Sequence, residues 1–215
     1  MLLNAPPELP PLGVVLAGGP GKRMGGNKPM RLLAGRRLID LALANLGGLC
    51  AQTMVVAGEV AAFADLPATV VADRWPGQGP LAALATALLE SRAESLLVIP
   101  VDLPLVRPAL LRLLIDSVGL APAAAASNDF GLAPLPGLYR RACLPAALRL
   151  LEQGERRLSV LLRLVGGARV SREAALMADP DDFSFFNVNY PEDLAEAERL
   201  VFARGLIDTP SFASV

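Results

Sequence analysis

The sequence predicts an α/β fold, a mostly parallel central sheet with helices on both faces. Short, nearly continuous apolar runs, at residues 12–17, Thr53–Ala57, Thr69–Ala72 and Ser95–Pro100, read as strands of a sheet covered on both sides. Segments with helical spacing alternate with them, as a parallel sheet with crossover helices requires. A third observation marks one edge of that sheet. A glycine-rich loop, Asp73 and Asp102 each follow closely on one of these runs. Open α/β sheets bind ligands outside the carboxyl ends of their strands.

The first strand runs into Leu16-Ala17-Gly18-Gly19-Pro20-Gly21-Lys22-Arg23-Met24-Gly25-Gly26-Asn27-Lys28. Backbone N–H groups freed from Cβ atoms, together with fixed cations, make a phosphate cradle. The pattern is not a P-loop, because Arg23 follows Gly21-Lys22 and Leu16 stands where the earlier glycine is needed. Met24 likewise stands where the dinucleotide fingerprint needs its third glycine. The plainer alternative is a surface loop after an edge strand.

Beyond the loop, residues 29–37 read as an irregular turn. Leu38–Leu46 has helical periodicity and stops at Gly47-Gly48. The strand Thr53–Ala57 is followed by a short Ala-rich helix at 59–64 and the strand Thr69–Ala72. Gly77-Gln78-Gly79-Pro80 is a loop, and Pro80 suits the first turn of a helix over 81–91. The most apolar strand, Ser95–Pro100, precedes Asp102 and a leucine-rich helix over Pro108–Ser117. Residues 121–126 fit a strand or an extended turn. Helices follow at 144–151 and from about 155, with a short strand at Ala168–Val170 and an extended run at 185–189. Pro191–Arg204 is an amphipathic helix with Glu192 and Asp193 in its first turn, where they favour the helix dipole. The expected organisation is an N-terminal extension at 1–11, a single domain at 12–204 and a tail at 205–215.

The 215 residues carry 20 Lys plus Arg and 21 Asp plus Glu, a net charge of −1. No basic excess points to nucleic acid or to an anionic membrane. No stretch reads as a signal peptide or a membrane span, and the two cysteines, Cys50 and Cys143, lack metal spacing. They read as reduced, buried thiols of a cytoplasmic protein. The chain has no histidine, which removes His-based nucleophilic catalysis and His-ligated zinc. A metal held by oxygen, magnesium first, is the one that suits this composition.

Asp102 sits in Pro100-Val101-Asp102-Leu103-Pro104. A carboxylate there can hold Mg²⁺ against triphosphate oxygens, or it can serve as a turn residue before the next helix. Asp73, by itself, is a strand-end aspartate and equally a turn residue. Asn187 and Asn189 alternate on an extended segment, so both side chains lie on one face. Arg74 and Trp75 could form a lip over a flat ring. The pairs Arg140-Arg141 and Arg156-Arg157 read first as solvated helix faces.

Leu-Ala-Gly-Gly followed by Arg-Met-Gly-x-x-Lys, Pro-x-Asp-x-Pro and the Asn-x-Asn before Pro191-Glu192-Asp193 resemble the molybdenum cofactor guanylyltransferase family. The resemblance spans nearly the whole chain from Leu12 to about Ala203. It departs at Asn27, where the family has Asp, at Ala83, where Gly-Pro-Leu-Ala ends without its final Gly, and at Tyr190, where Thr is usual. Related cytidylyltransferases tend to carry Leu-Ala-Ala-Gly and Asp-x-Asp instead.

The resemblance implies a three-layer, Rossmann-like nucleotidyltransferase fold. It implies transfer of GMP from GTP to the phosphate of molybdopterin, with release of pyrophosphate. Arg23, Lys28 and Asp102 would be catalytic, with Asp102 holding Mg²⁺. Leu16, Ala17, Gly18, Gly19, Lys28, Asp73 and Asp102 would bind the nucleotide, and Asn187 and Asn189 the pterin side. Expected partners are GTP, molybdopterin, and proteins of cofactor biosynthesis or target molybdoenzymes, with no nucleic acid and no membrane. The alternatives are transfer of a different nucleotide, such as CMP, transfer to another phosphorylated acceptor, or a non-catalytic nucleotide-binding protein.

Overall fold

A computed structural model describes residues 9–19 and 26–206. Seven strands form one sheet: β1 (Leu12–Leu16), β4 (Thr53–Ala57), β5 (Thr69–Ala72), β6 (Ser95–Pro100), β7 (Ala123–Asn128), β8 (Gly131–Arg140) and β9 (Ala168–Val170). Their order is β5-β4-β1-β6-β8-β7-β9. β1 pairs in parallel with β4 and with β6, and β4 in parallel with β5. β8 runs antiparallel to both β6 and β7, while β9 is parallel to β7. The sheet is thus mostly parallel, with β8 reversed inside it.

Strand alternation divides the core into two layers. Val15, Val55, Leu97 and Ile99 face the helices α1 (Leu38–Leu46), α3 (Pro108–Ser117), α6 (Arg172–Ala178) and α7 (Pro191–Arg204). Val14, Leu16, Val56, Leu96 and Val98 face α2 (Pro80–Glu90), α4 (Leu144–Glu152) and α5 (Leu158–Leu164). Every one of these strand side chains is buried, so the central strands read as continuous apolar runs rather than alternating ones. β5 differs: it is an edge strand with two of its four residues exposed.

Several local readings need correction. The turn expected at 29–37 contains a 3₁₀ turn at Lys28–Met30 and a small hairpin, β2 (Leu32–Leu33) with β3 (Arg36–Arg37). The helix expected at 59–64 is a single 3₁₀ turn at Ala61–Phe63. The run at 185–189 begins as the end of a 3₁₀ turn at Phe183–Phe185 and forms no ladder. β8 and α6 had no clear sequence signal. Pro134 and Pro136 disguise β8, where Leu135-Pro136 is a cis peptide. A Cβ on Gly137 would lie 2.6 Å from the Pro134 carbonyl, so the strand can fold against itself there only without a side chain. Among the described residues no helix is long and apolar enough to cross a membrane.

The chain leaves β1 toward β4 on one side and later returns past β1 to β6 on the other. The carboxyl ends of β1 and β6 therefore flank a switch point, where a crevice opens above the sheet.

Candidate active site

A cleft of about 690 Å³ opens there. Its floor and one side are formed by Leu16, Gly18 and Gly19 after β1, Asp73 after β5, and Pro100 to Leu103 after β6. Lys28 projects into it from the far end of the glycine loop. Asn27 precedes Lys28 in a left-handed conformation, φ 48°, which asparagine tolerates better than most residues. Asn in place of the family's Asp thus fits the turn that presents Lys28. Pro29 follows Lys28 within the 3₁₀ turn and is buried.

Lys28 joins two distant parts of the chain. Its ammonium Nζ donates to Asp102 Oδ2 at 3.3 Å and to Asn189 Oδ1 at 2.9 Å. The lysine side chain is 13% exposed and that of Asp102 27%, so both are partly screened yet open to a ligand. The segment carrying Asn189 is tied to the strand end by its backbone: Val188 N–H donates to the Asp102 carbonyl at 2.8 Å. Val188 is fully buried, which turns its neighbours Asn187 and Asn189 outward. Asn187 lines the cleft. Asp193 accepts from the N–H groups of Asn189 and Tyr190, both at 2.8 Å. The start of α7 is therefore held by Asp193, and the loss of Thr at 190 does not leave it loose.

Asp73 stands on the β5 side. Its Oδ1 accepts from Trp75 N–H at 3.0 Å and lies 3.1 Å from the Thr86 hydroxyl. Thr86 is fully buried and also accepts from Arg74 N–H at 3.1 Å. A Cβ on Gly18 would sit 3.7 Å from Asp73 Oδ2, so these two positions are neighbours in van der Waals reach on the cleft lining.

Leu16, Gly18, Gly19, Lys28, Asp73, Asp102 and Asn187 thus meet on one cleft, and Asn189 reaches it through Lys28. Ala17 does not line it; its methyl packs into the core and its N–H is taken by the Val56 carbonyl. Arg23 lies outside the described residues, as do Lys22 and residues 207–215 of the tail. Arg140, Arg141 and Arg156 reach backbone carbonyls instead of forming the expected solvated faces, while Arg157 is exposed as expected. Arg141 donates to the Leu88 and Ser91 carbonyls at the end of α2, and Arg140 to those of Gly119 and Ala121. Arg156 donates to the Leu151 and Glu155 carbonyls. The exposed Arg157 pairs with the half-buried Glu155, and this holds the Glu155 carboxyl down at about 2.

Residues without a motif complete the cleft. The opposite wall is apolar and comes from the β7–β8 hairpin, with Phe130, Leu132, Pro134 and Leu135, and from Phe185. Thr86 behind Asp73 was also missed, because a threonine inside an Ala/Leu helix carries no signature.

The family model of the MobA-like NTP transferase domain matches residues 13–170. The chain belongs to the MobA-like NTP transferase family. A probable molybdenum cofactor guanylyltransferase of Chloroflexus aggregans is 35% identical over 188 residues, 85% of this chain and 90% of that protein. A molybdenum cofactor guanylyltransferase of Cereibacter sphaeroides is 35% identical, covering 88% and 96%. Among solved structures, molybdopterin-guanine dinucleotide biosynthesis protein A of Archaeoglobus fulgidus superposes with TM-score 0.77 at 28% identity, over 89% of this chain and 98% of that one. The 2-C-methyl-D-erythritol 4-phosphate cytidylyltransferase of Thermus thermophilus, TM-score 0.65 at 21% identity over 89% and 99%, shares the fold of this MobA-like chain.

Proposed function

We propose that this chain, with residues 12–204 as one domain, transfers GMP from GTP to the terminal phosphate of molybdopterin. The observation that carries the reading is the position of Lys28, in contact with both Asp102 and Asn189 beside the glycine loop. The guanylyltransferase names of relatives that cover most of the chain support the same reading.

An oxygen of the acceptor phosphate attacks the α-phosphorus of GTP. A new P–O bond forms, the bond to the α–β bridging oxygen breaks, and pyrophosphate leaves with that electron pair. The nucleophile is already an anion, so no general base is needed. Catalysis rests on positioning and charge neutralisation. Gly18 and Gly19 lie where the chain leaves β1, so their N–H groups can take triphosphate oxygens. Lys28 places a cation over the same region; the catalytic role expected of Arg23 falls on a residue outside those described. Asp73 and the Gly77–Pro80 loop face the nucleoside side, and Asn187 and Asn189 the acceptor side.

The residues present fit magnesium. Asp102 is a partly exposed carboxylate at the phosphate end of the cleft, with Asp73 on its other side, and the described residues contain no cluster of three or more metal-ligating side chains. Magnesium is commonly held in this way, by one or two carboxylates with waters and substrate phosphates. When bound through Asp102, it supplies positive charge to the phosphates during transfer.

Cys50 and Cys143 are free thiols, in keeping with the reducing cytoplasm. The product would pass to proteins of cofactor biosynthesis or to molybdoenzymes. Pyrophosphate release with molybdopterin and Mg²⁺, measured separately with GTP, CTP, ATP and UTP, tests the reading. Release with GTP alone is expected, and release with CTP alone would overturn the assignment of the base.

A further inference from the structure

The cleft has two chemically different sides. Gly18, Gly19, Lys28 and Asp102 form its polar phosphate end. The β7–β8 hairpin forms an apolar wall, and at its tip Phe130 is 98% exposed while still lining the cleft. A phenyl ring left this open to water exposes a large apolar surface that a flat ligand could cover.

The tip that carries the ring is anchored. Asn128 Oδ1 accepts from Phe130 N–H at 2.9 Å, which fixes the turn. The Arg172 guanidinium donates to Asp129 Oδ1 at 2.8 Å, and to Asp182 Oδ1 at 2.7 Å and Oδ2 at 2.8 Å. The second contact is a two-pronged pair, the strong geometry for Arg with a carboxylate. Arg172 thereby bolts the hairpin tip to the segment that leads into Asn187. The ring is held on the Asn187 side of Lys28, away from Asp73.

We infer that Phe130 is an acceptor-binding residue whose ring stacks on the planar bicyclic, pterin-type end of the acceptor. The inference rests on the transfer reading above, because it uses the acceptor side that reading assigns. A stacked ring fixes where the acceptor phosphate, at the other end of the molecule, meets the nucleotide. The guanine binds on the opposite side and does not touch Phe130.

The test is steady-state transfer by the full chain with its Phe130→Ala and Phe130→Tyr variants. Phe130→Ala should raise the acceptor KM about tenfold, the scale of one aromatic stack, with GTP affinity unaltered and kcat within about twofold. Phe130→Tyr should restore the acceptor KM. A second readout needs no turnover. In Phe130→Trp, addition of a soluble pterin should quench indole emission beyond the change seen with the unaltered chain, which carries only Trp75. An acceptor KM unchanged in Phe130→Ala, with the unaltered chain active, overturns this inference alone. Absence of pyrophosphate release by the unaltered chain overturns the transfer reading and the inference with it. Because the ring packs against nothing in the core, the variants should remain folded.

Discussion

Lys28 and Asn189 are 161 residues apart in the chain, yet the lysine ammonium donates to the asparagine oxygen at 2.9 Å. The same ammonium reaches Asp102 at 3.3 Å. One cation therefore ties together the loop after β1, the end of β6 and the segment before α7.

Lys28→Ala and Asp102→Ala should each lower kcat about a hundredfold or more, because each removes a charge aimed at the reacting phosphates. Neither side chain belongs to the core, and a partly exposed ion pair contributes little stability. Thermal melting should stay close to that of the unaltered chain while single-turnover GMP transfer collapses. Near-normal turnover in either variant would remove that residue from the mechanism.

Asn189→Ala should act more mildly. It removes one hydrogen bond to a charged group, worth about 1.5–3 kcal/mol, so kcat/KM should fall roughly ten- to a hundredfold. Kinetics at varied acceptor concentration check this. An unchanged kcat/KM would mean that Lys28 keeps its position without the asparagine.

Thr86→Val keeps the shape of the residue and removes its hydroxyl. Arg74 N–H loses its acceptor and Asp73 loses a neighbour at 3.1 Å. Denaturant unfolding should record a loss of about 1–3 kcal/mol. The GTP KM should rise several-fold with acceptor KM unaltered, and equal increases in both would refute a role confined to the nucleotide side.

Burial pushes the thiols of Cys50 and Cys143 up to about 11. The folded state thus favours the neutral thiol more than the unfolded chain does. That contribution to stability is complete below the ordinary thiol value and declines as pH rises toward about 11. At about pH 8 iodoacetamide should leave both cysteines of the folded protein unmodified and alkylate both in denaturant. Rapid labelling of the native chain would contradict this.

The parallel half of the sheet was legible because its three inner strands, β1, β4 and β6, are buried on both faces and all four are followed closely by glycine or aspartate. Asp102, Asp73 and the glycine loop were legible for the same reason, since each terminates a readable strand. Asn189 needed the family resemblance, because an asparagine on an extended run has ordinary turn chemistry. The antiparallel half was obscured by Pro134 and Pro136 in β8, residues that normally argue against a strand. Phe130 and the Arg172 clamp depend on contacts across 43 residues of chain. No local pattern encodes such contacts.

The most direct measurement follows the label from α-³²P GTP in the presence of molybdopterin and Mg²⁺. Incorporation of the label into a guanine dinucleotide of molybdopterin, with one pyrophosphate released per transfer, is the predicted result. Label that remains in GTP, or emerges only as free GMP or GDP, would contradict nucleotidyl transfer to the acceptor phosphate.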